Sequence, residues 1–183
     1  MRSNLRTPLG SFCFDDGSKN FKADQDNNFN QSQFGLQLAS ANHGFRVNLV
    51  QHESKGGHTI SFHVNKSHGF LIGRLRSNRY SIPAFTIGLK RAGSYTSLSS
   101  ATRLTNATLS AHSATVQQVA SGSLKQAVLD RPFGSPTGYE AYTTGRSAPI
   151  IRETFGVRVH IIHNPGVPGG FLVNTSFPMN FGP

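Results

Sequence analysis

Apolar residues recur at intervals of three and four in two parts of the chain, residues 56–76 and residues 97–120. This spacing is typical of amphipathic helices, and it predicts two short helices in each part. In the first part, Ser67 is a good N-terminal cap for the second helix, and the glycine pair ending at Gly57 begins the first. In the second part the pattern breaks near residues 111–113, where we expect His112 to face solvent. The apolar positions that carry these helices are Ile60, Val64, Phe70, Leu71, Ile72, Leu75, Leu98, Ala101, Leu104, Ala107, Leu109, Val116 and Val119.

The last third of the chain changes to an alternating pattern, which is typical of strands. Phe155–His163 is the strongest strand, and a Pro- and Gly-rich turn at residues 164–170 leads to Phe171–Phe177 as its antiparallel partner. Helices first and a meander of strands second predict an α+β fold. The remaining predicted segments are strands at Leu124–Asp130 and Tyr139–Thr143, turns or loops at residues 131–137 and 144–147, and a loop at residues 81–89 that leads into a short extended or helical segment.

The first fifty residues are polar and asparagine-rich, which predicts an arm or linker without a packed core of its own. Short alternating segments at residues 35–38 and 45–50 predict two strands that pair with each other. We therefore place a polar N-terminal arm at residues 1–50 and the functional domain at residues 51–183. No run approaches the roughly 18 apolar residues of a membrane span, and residues 1–10 lack the apolar core of a signal peptide.

Basic residues outnumber acidic ones, with 18 Lys and Arg against 8 Asp and Glu and a formal net charge of +10. Such an excess favours a polyanionic partner. RNA, DNA, an acidic membrane surface and an acidic protein are all compatible with it. Cys13 is the single cysteine, so the fold cannot depend on an intramolecular disulfide.

Three histidines and two arginines lie within Gly56–Arg76. His63 and Arg74 are eleven residues apart, which would separate them by about 16 Å on one straight helix. A turn at residues 65–67 would fold the second helix back and bring both side chains to one cleft. A neutral histidine accepts a proton near pH 7, and an arginine holds a phosphate through two parallel hydrogen bonds. The pair therefore suits phosphodiester cleavage by a neighbouring 2′-hydroxyl; the alternative is a surface helix pair with solvated side chains.

The sequence does not predict a metal or cofactor site. His58 and His63 are five residues apart, whereas helical zinc pairs are four apart. The acidic residues are scattered without metal-ligand spacing, and no phosphate-binding glycine loop or nucleophile elbow is present. The acidic residues considered were Glu53, Asp130, Glu140 and Glu153.

Several short segments together resemble one family. GGHT, HVNKS and RLR within residues 56–76, GVRVHI at residues 156–161 and TSFP at residues 175–178 resemble, in the same order, the bacterial ribonuclease A-like toxin domains. These domains are the C-terminal effectors of contact-dependent growth inhibition and related polymorphic toxin systems. The resemblance implies a kidney-shaped α+β fold without disulfides, metal-independent ribonuclease activity and a cognate immunity protein that blocks the active site. It also implies export as part of a larger toxin that acts in the cytoplasm of a target bacterium.

The same resemblance assigns the catalytic residues His63, Arg74 and Thr175. The tyrosine of the family's terminal TSY motif falls on Phe177, which has no hydroxyl, and this leaves open which group protonates the leaving 5′-oxygen. His160 and His163 are three residues apart on a predicted strand, so only one can face the cleft. The secondary or substrate-binding candidates are Phe177, His58, His160, His163, Arg76 and Lys66. Among them His58 is expected to begin a helix, about 140° around it from His63.

We therefore expect a cytotoxic, metal-independent endoribonuclease that cleaves RNA of target bacteria and leaves a 2′,3′-cyclic phosphate. Its partners are expected to be RNA and an acidic immunity protein, without stable membrane association. A basic RNA-binding module without catalysis is the alternative of a different class, and a nuclease that prefers DNA is a third hypothesis. The RNA target, its base preference and the oligomeric state do not follow from the sequence.

Overall fold

The computed structural model describes residues 44–82, 85–144 and 147–182. The strand predicted at residues 35–38 lies outside these residues. The described helices are α1 (Leu49–Ser54), α2 (Thr59–His63), α3 (His68–Ser77), α4 (Leu98–Ala111) and α5 (Ser113–Ala120). The strands are β1 (Arg79–Ile82), β2 (Phe85–Gly88), β3 (Arg91–Ser94), β4 (Gln126–Pro132), β5 (Gly138–Tyr142), β6 (Ile150–Thr154), β7 (Gly156–His163) and β8 (Phe171–Met179). No helix in these ranges is long and apolar enough to span a membrane.

Side-chain caps determine where three of the helices begin. Ser67 accepts a hydrogen bond from the backbone N–H of Phe70, which confirms the predicted cap of α3. Asn48 caps α1 by accepting from two backbone N–H groups, and Ser97 caps α4 in the same way from one. The predicted strand at residues 45–50 is therefore wrong. Backbone N–H groups of this segment bond to side chains of α4, and its last residues enter α1.

Helix α2 begins at Thr59, two residues after the predicted start at Gly57. The side chain of the N-cap residue, His58, makes no capping hydrogen bond. The carboxylate of Glu53 does this instead. Its two oxygens accept the backbone N–H groups of Ile60 and Ser61, each at 2.9 Å. A carboxylate at a helix N-terminus is favourable because it satisfies free N–H groups and meets the positive end of the helix dipole. Glu53 therefore fixes the helix that carries His63.

Within the described residues the strands form three antiparallel sheets, with the orders β1-β2, β3-β5-β6 and β4-β7-β8. The α+β class is confirmed. The strands do not follow one simple meander. Helices α4 and α5 lie between β3 and β4, and the chain passes back and forth between the two larger sheets. In the segment predicted as a loop leading into a short extended or helical part, residues 81–82 belong to β1 and residues 85–88 to its antiparallel partner β2. Strands β3 and β6 are additional strands. The predicted strands of the last third are confirmed to within two residues at each end.

The main core lies between α4, α5 and the inner face of the sheet β4-β7-β8. Five of the seven apolar positions predicted for α4 and α5 are buried there against β4 and β7, whereas Leu98 is exposed and Ala107 is partly buried. Burial of each leucine or valine side chain stabilises by about 1.5–3 kcal/mol. The residues of this contact include Leu104, Leu109, Val116, Val119, Leu129, Val157, Val159 and Ile161. A smaller cluster joins α3 to β3 and β5 through Leu71, Leu75, Ala92 and Ala141. The helix that carries Arg74 is thus anchored on a different sheet from the one that carries Thr175.

Two details correct or extend the sequence predictions. The break between α4 and α5 is confirmed, but His112 is half-buried, with its Nε2 3.0 Å from the backbone carbonyl oxygen of Asp130. It is not a solvated residue, because the packing of the helix pair brings the ring to β4. Before the predicted boundary at residue 51, Phe45 and Val47 pack against the core and Leu49 is buried in it. The division at residue 50 stays a prediction.

Candidate active site

His63 is the last residue of α2 and is held against β3. Its backbone carbonyl accepts from the N–H of Tyr95 at 2.8 Å, and only 6% of the residue is exposed. Its Nδ1 lies 2.8 Å from the carbonyl oxygen of Gly93. A carbonyl only accepts, so Nδ1 carries the proton and, in the neutral ring, Nε2 keeps a free lone pair. This tautomer is the one that a general base needs.

The environment keeps His63 neutral at physiological pH. Burial lowers the pKa of His63 to about 4, and the charge of Arg74 acts in the same direction. The hydrogen bond to the Gly93 carbonyl opposes them and raises the pKa, but by less than burial lowers it. The sequence-based expectation of a neutral proton acceptor therefore agrees with the site's electrostatics.

Gly93 makes this hydrogen bond possible through a close approach of two sheets. A side chain at Gly93 would collide with the backbone carbonyl of Pro178, because β3 passes directly beside β8. The missing Cβ lets β3 present its carbonyl to His63 while β8 lies against it. No local pattern in the sequence marks Gly93 as part of the site.

Arg74 lies on α3 with its guanidinium over the ring of Phe62, where Cζ is 4.6 Å from the ring centroid. Its Nη1 atom is buried and has no hydrogen-bond partner among the described residues. Burial lowers the pKa of Arg74 from its usual high value, and an arginine keeps its charge under such shifts. A buried guanidinium nitrogen without an acceptor is unfavourable in the free protein, and an oxyanion placed beside it would supply the missing acceptor.

Thr175 and Phe177 are two residues apart on β8 and therefore share one face of the sheet. The Phe177 ring stacks on the imidazole of His63, with centroids 5.0 Å apart and an angle of 26° between the planes. The Thr175 hydroxyl is buried, and it too finds no partner in the part of the chain that the structure describes. The strand thus brings a second unsatisfied polar group to the side on which His63 lies.

The neighbouring Ser176 points to the opposite face and is fully bonded. Its hydroxyl lies 2.7 Å from that of Tyr95 and 2.8 Å from that of Thr105. Its backbone N–H donates to the hydroxyl of Thr59, the first residue of α2. This buried network fixes α2 and β8 relative to each other, which positions His63 beside Phe177.

His58 lies closer to the site than its position on the helix predicted. His58 is the N-cap residue of α2, so it lies at the start of the helix as expected, and its ring contacts Phe62 with centroids 5.7 Å apart. Burial lowers the pKa of His58, Glu53 raises it, and the positive charges of Arg74 and His160 lower it further. Because Arg74 also lies over the Phe62 ring, His58 and Arg74 have Phe62 as a common neighbour.

His160 and His163 take different positions, as strand alternation predicts. His160 pairs in register with Thr175, and its ring nitrogens lie 3.2 Å from Gln126 Oε1 and 3.1 Å from Asn174 Nδ2. His163 lies on the helix side, where its Nδ1 is 2.8 Å from the carbonyl oxygen of Val119. The structure thus places His160 next to the site and His163 away from it.

The two basic candidates differ as well. Lys66 lies in the turn before α3 with its Nζ 5.5 Å from the ring centroid of Phe70. Arg76 is exposed in the last turn of α3, two residues after Arg74, so it projects about 200° around the helix from it. Lys66 thus lies over the face of the Phe70 ring, whereas Arg76 points to a different side of α3 from Arg74.

Three of the four acidic residues that the structure describes serve the scaffold. Asp130 pairs with Arg158 at 2.6 Å, buried Glu140 pairs with Arg152 at 2.9 Å, and Glu53 caps α2. Among the described residues, no group of three His, Cys, Asp or Glu side chains could hold a metal ion. The site therefore combines a neutral histidine lone pair with two unsatisfied groups from neighbouring elements, a guanidinium and a hydroxyl. Of these surroundings, sequence reasoning missed Phe62, Gly93 and Asn174.

Comparisons with known proteins identify the family and a similar fold. The family model described as "Bacterial CdiA-CT RNAse A domain" matches residues 57–178. Among solved structures, the fold is similar to the crystal structure of a CdiA-CT/CdiI complex from Y. kristensenii 33638, with a TM-score of 0.54 and 23% sequence identity. The match covers 67% of this chain and 99% of that chain. No curated protein matches. Because the family model spans more than half of the chain, the chain belongs to the bacterial CdiA-CT RNAse A domain family, the ribonuclease A-like toxin domains of contact-dependent growth inhibition.

Proposed function

We propose that this domain kills target bacteria by cleaving their RNA through attack of a 2′-hydroxyl, with His63 as the general base and no metal ion. One observation carries the proposal. Among the described residues, Arg74 Nη1 and Thr175 Oγ1 are buried without partners, and His63 keeps a free lone pair on Nε2. Arg74 shares the Phe62 ring with His63, and Thr175 shares a strand face with Phe177, whose ring stacks on the imidazole. A phosphodiester in this position would accept from both groups while its 2′-hydroxyl gives its proton to the imidazole.

In the proposed step, Nε2 of His63 takes the 2′-hydroxyl proton and the 2′-oxygen forms a new bond to phosphorus. The bond from phosphorus to the 5′-oxygen breaks, and that oxygen takes up a proton. The products are a 2′,3′-cyclic phosphate and a free 5′-hydroxyl. Arg74 stabilises the charge that develops on the phosphoryl oxygens, and Thr175 donates to one non-bridging oxygen. Phe177 holds the imidazole plane through stacking.

His58 is our candidate for protonating the leaving oxygen, since Phe177 has no hydroxyl. Both ring nitrogens of His160 and the Nδ1 of His163 already have partners, whereas the ring nitrogens of His58 have none within the described ranges. His58 also lies beside Arg74, at the shared ring of Phe62. The test compares alanine variants of the three histidines in single-turnover cleavage of a short RNA. His58→Ala should slow cleavage by about 10²-fold or more. Equal effects from His58→Ala and His163→Ala would contradict the assignment.

The central experiment is incubation of the full chain with RNA in EDTA, followed by analysis of the new ends. We expect cleavage to persist and the 3′ products to carry 2′,3′-cyclic phosphates. A substrate with 2′-deoxyribose at every position should stay intact, because it lacks the nucleophile. Loss of cleavage in EDTA with recovery on adding magnesium or zinc would contradict the mechanism, and so would cleavage of the deoxy substrate.

A cognate immunity protein completes the proposal. The structurally similar domain was crystallised as a CdiA-CT/CdiI complex. With a net charge of +10, the protein of this chain should attract an acidic inhibitor that covers His63 and Arg74. Such an inhibitor would protect the producing cell until the domain, delivered as part of a larger toxin, reaches the cytoplasm of its target. Co-expression of the partner should abolish RNA cleavage. A basic partner, or one that binds and leaves cleavage unchanged, would contradict this part.

A basic RNA-binding module without catalysis is the second candidate, and Phe177 is the observation that favours it. The family's tyrosine hydroxyl is absent there, and the ring packs on the imidazole. In the same EDTA assay, an RNA mobility shift without new ends would support the binding module.

A further inference from the structure

The turn before α3 and the first turns of that helix carry a second pairing of an exposed aromatic ring with a cation. Arg74 lies over Phe62, which is 39% exposed, and Lys66 lies over Phe70, which is 38% exposed. Single exposed phenylalanines are common and need no explanation. Phe62 and Phe70 form a more specific arrangement, because a cation lies over each ring and Arg74 is close in position to both.

Phe70 and Arg74 are four residues apart on α3 and therefore lie on the same helix face, with Cβ atoms about 5–6 Å apart. Helix side chains lean toward the N-terminus, so Arg74 extends over the turn that carries Phe70. The phosphate proposed at Arg74 would thus lie next to the Phe70 ring. A strand that continues from this phosphate meets Phe70 and Lys66 next.

The backbone of Lys66 is held on both sides, which gives its ammonium a defined starting point. Its N–H donates to the Ser94 hydroxyl at 2.9 Å, and its carbonyl accepts from the Tyr139 hydroxyl. The ring of Tyr139 also contacts His68, with centroids 4.9 Å apart. The turn is therefore anchored to β3 and β5, while the Phe70 ring stays accessible to solvent.

We infer that Lys66 and Phe70 form a binding subsite for the first nucleotide beyond the two that the scissile phosphate joins, with that nucleotide's own phosphate at the Lys66 ammonium and its base on the Phe70 ring. This inference rests on the proposed ribonuclease function and adds the direction in which the RNA continues from the site. An aromatic ring binds any base through its π face, and a lysine binds phosphate as a point charge. The subsite therefore lengthens the bound RNA without selecting a sequence.

The test compares two substrates of the full chain. One is a dinucleotide with a single cleavable phosphate, and the other is a hexanucleotide with one ribonucleotide at the cleavage position. Phe70→Ala should leave kcat/KM for the dinucleotide within about twofold and lower that for the hexanucleotide about tenfold, which is within the range of base–aromatic stacking. Phe70→Tyr should restore the value. Matched controls are Phe155→Ala, which removes a ring that is 44% exposed on another element, and Lys125→Ala, which removes an exposed lysine.

Salt dependence distinguishes the two halves of the subsite. Lys66→Ala should reduce the slope of log affinity against log salt by about 0.7, as expected for one lost phosphate contact on a single strand. Phe70→Ala should weaken binding with the slope unchanged. These affinities are measured with an all-deoxy hexanucleotide, which cannot be cleaved by the proposed route, so the result does not depend on catalysis. Equal losses with both substrates, no loss with the hexanucleotide, or the same loss in Phe155→Ala would overturn the inference.

Discussion

Thr175 and Ser176 are adjacent on β8 and both have hydroxyl side chains, but the structure shows a hydrogen-bond partner only for the hydroxyl of Ser176. The Ser176 hydroxyl lies in a buried network with Tyr95 and Thr105, where every contact is at hydrogen-bond distance. The Thr175 hydroxyl, one residue earlier and on the other face, is buried with no partner among the described residues.

Buried polar groups are nearly always satisfied when they only support a fold. Apart from Arg74 Nη1, the other buried side-chain atoms of the described residues without a hydrogen bond are Glu140 Oε2 and Arg152 Nη2, which belong to the two members of one ion pair. The unsatisfied hydroxyl of Thr175 has no such partner, and its contrast with Ser176 distinguishes the face that binds from the face that holds the domain together.

Two buried histidines show the same contrast. His52 accepts the backbone N–H of Val173 through its Nδ1, and this bond ties α1 to β8. His63 uses its Nδ1 as a donor to Gly93 and keeps Nε2 free. Burial lowers the pKa of both. What separates a structural histidine from a base is thus whether the bonded Nδ1 accepts or donates, because this decides whether Nε2 carries the proton or keeps a lone pair.

The largest effect is expected at the base itself. His63→Ala should lower single-turnover cleavage by about 10²–10⁴-fold. Arg74→Ala should lower it by about 10²–10³-fold, and Arg74→Lys should rescue poorly because lysine cannot form two parallel bonds to a phosphate. Thermal unfolding of each variant checks that the fold is retained. If His63→Ala cleaves at the parent rate, the assignment of the site is wrong.

Thr175→Val and Ser176→Ala should separate activity from stability. Thr175→Val removes an unsatisfied hydroxyl, so we expect about 1 kcal/mol of added stability and a loss of about 10–100-fold in cleavage. Ser176→Ala leaves the Tyr95 and Thr105 hydroxyls without their partner, so we expect about 1–3 kcal/mol of lost stability.

Urea unfolding and single-turnover cleavage under folding conditions measure the two quantities. Ser176→Ala should cleave at nearly the parent rate where it is folded. Stability changes of the same sign in both variants would show that the two faces of β8 do not differ as argued.

The pH profile should be bell-shaped in kcat/KM, with its maximum below pH 7. The acid side should fall about tenfold per pH unit below the His63 pKa of about 4, since the protonated ring cannot act as a base. The alkaline side should begin below the usual histidine value near 6.5, because burial lowers the pKa of His58, the proposed acid. His58→Ala should remove the alkaline limb and keep the acid one.

Folding has to be followed in the same experiment. The folded-state pKa of His63 is below its unfolded value near 6.5, so folding favours the neutral ring. This stabilisation is complete above pH 6.5 and is lost as the pH falls from 6.5 toward 4. Circular dichroism at each pH separates loss of catalysis from loss of structure. An alkaline limb that persists in His58→Ala would assign the acid to another group.

The smallest effect is expected from Phe177→Tyr. The ring can keep its stacking on His63, and the added hydroxyl supplies the donor that the family has at this position. We expect cleavage equal to the parent or up to about tenfold faster, with stability nearly unchanged. Phe177→Leu is the matched control, because it retains bulk and loses the stacked ring. Slower cleavage by Phe177→Tyr would show that the hydroxyl and the stacked geometry are incompatible here.

Local sequence patterns predicted an element correctly where the residues that specify it lie within the element itself. The break between α4 and α5, the Ser67 cap and the β7–β8 pair all follow from periodicity or capping chemistry within a few residues. The motifs around His63 and Arg74 likewise carried the family resemblance, which the family model confirms over residues 57–178.

Local patterns failed where the partner of a segment is distant in sequence. Residues 45–48 read as a strand, but side chains of α4 more than fifty residues away take up their N–H groups. Strands β3 and β6 are short and carry glycine or charged residues, and they are strands because β5 lies between them. Strand formation depends on cross-strand neighbours, which a window of ten residues does not contain.

The sequence by itself determined the α+β class, the positions of most described helices and of half of the described strands, and the family with its candidate site residues. Only the tertiary structure decided the state of those residues. The tautomer of His63 depends on a carbonyl thirty residues away, and its low pKa depends on burial between α2, β3 and β8. The unsatisfied atoms of Arg74 and Thr175 are defined by what surrounds them. Protonation and hydrogen-bond satisfaction are properties of an environment, and residues distant in the chain assemble that environment.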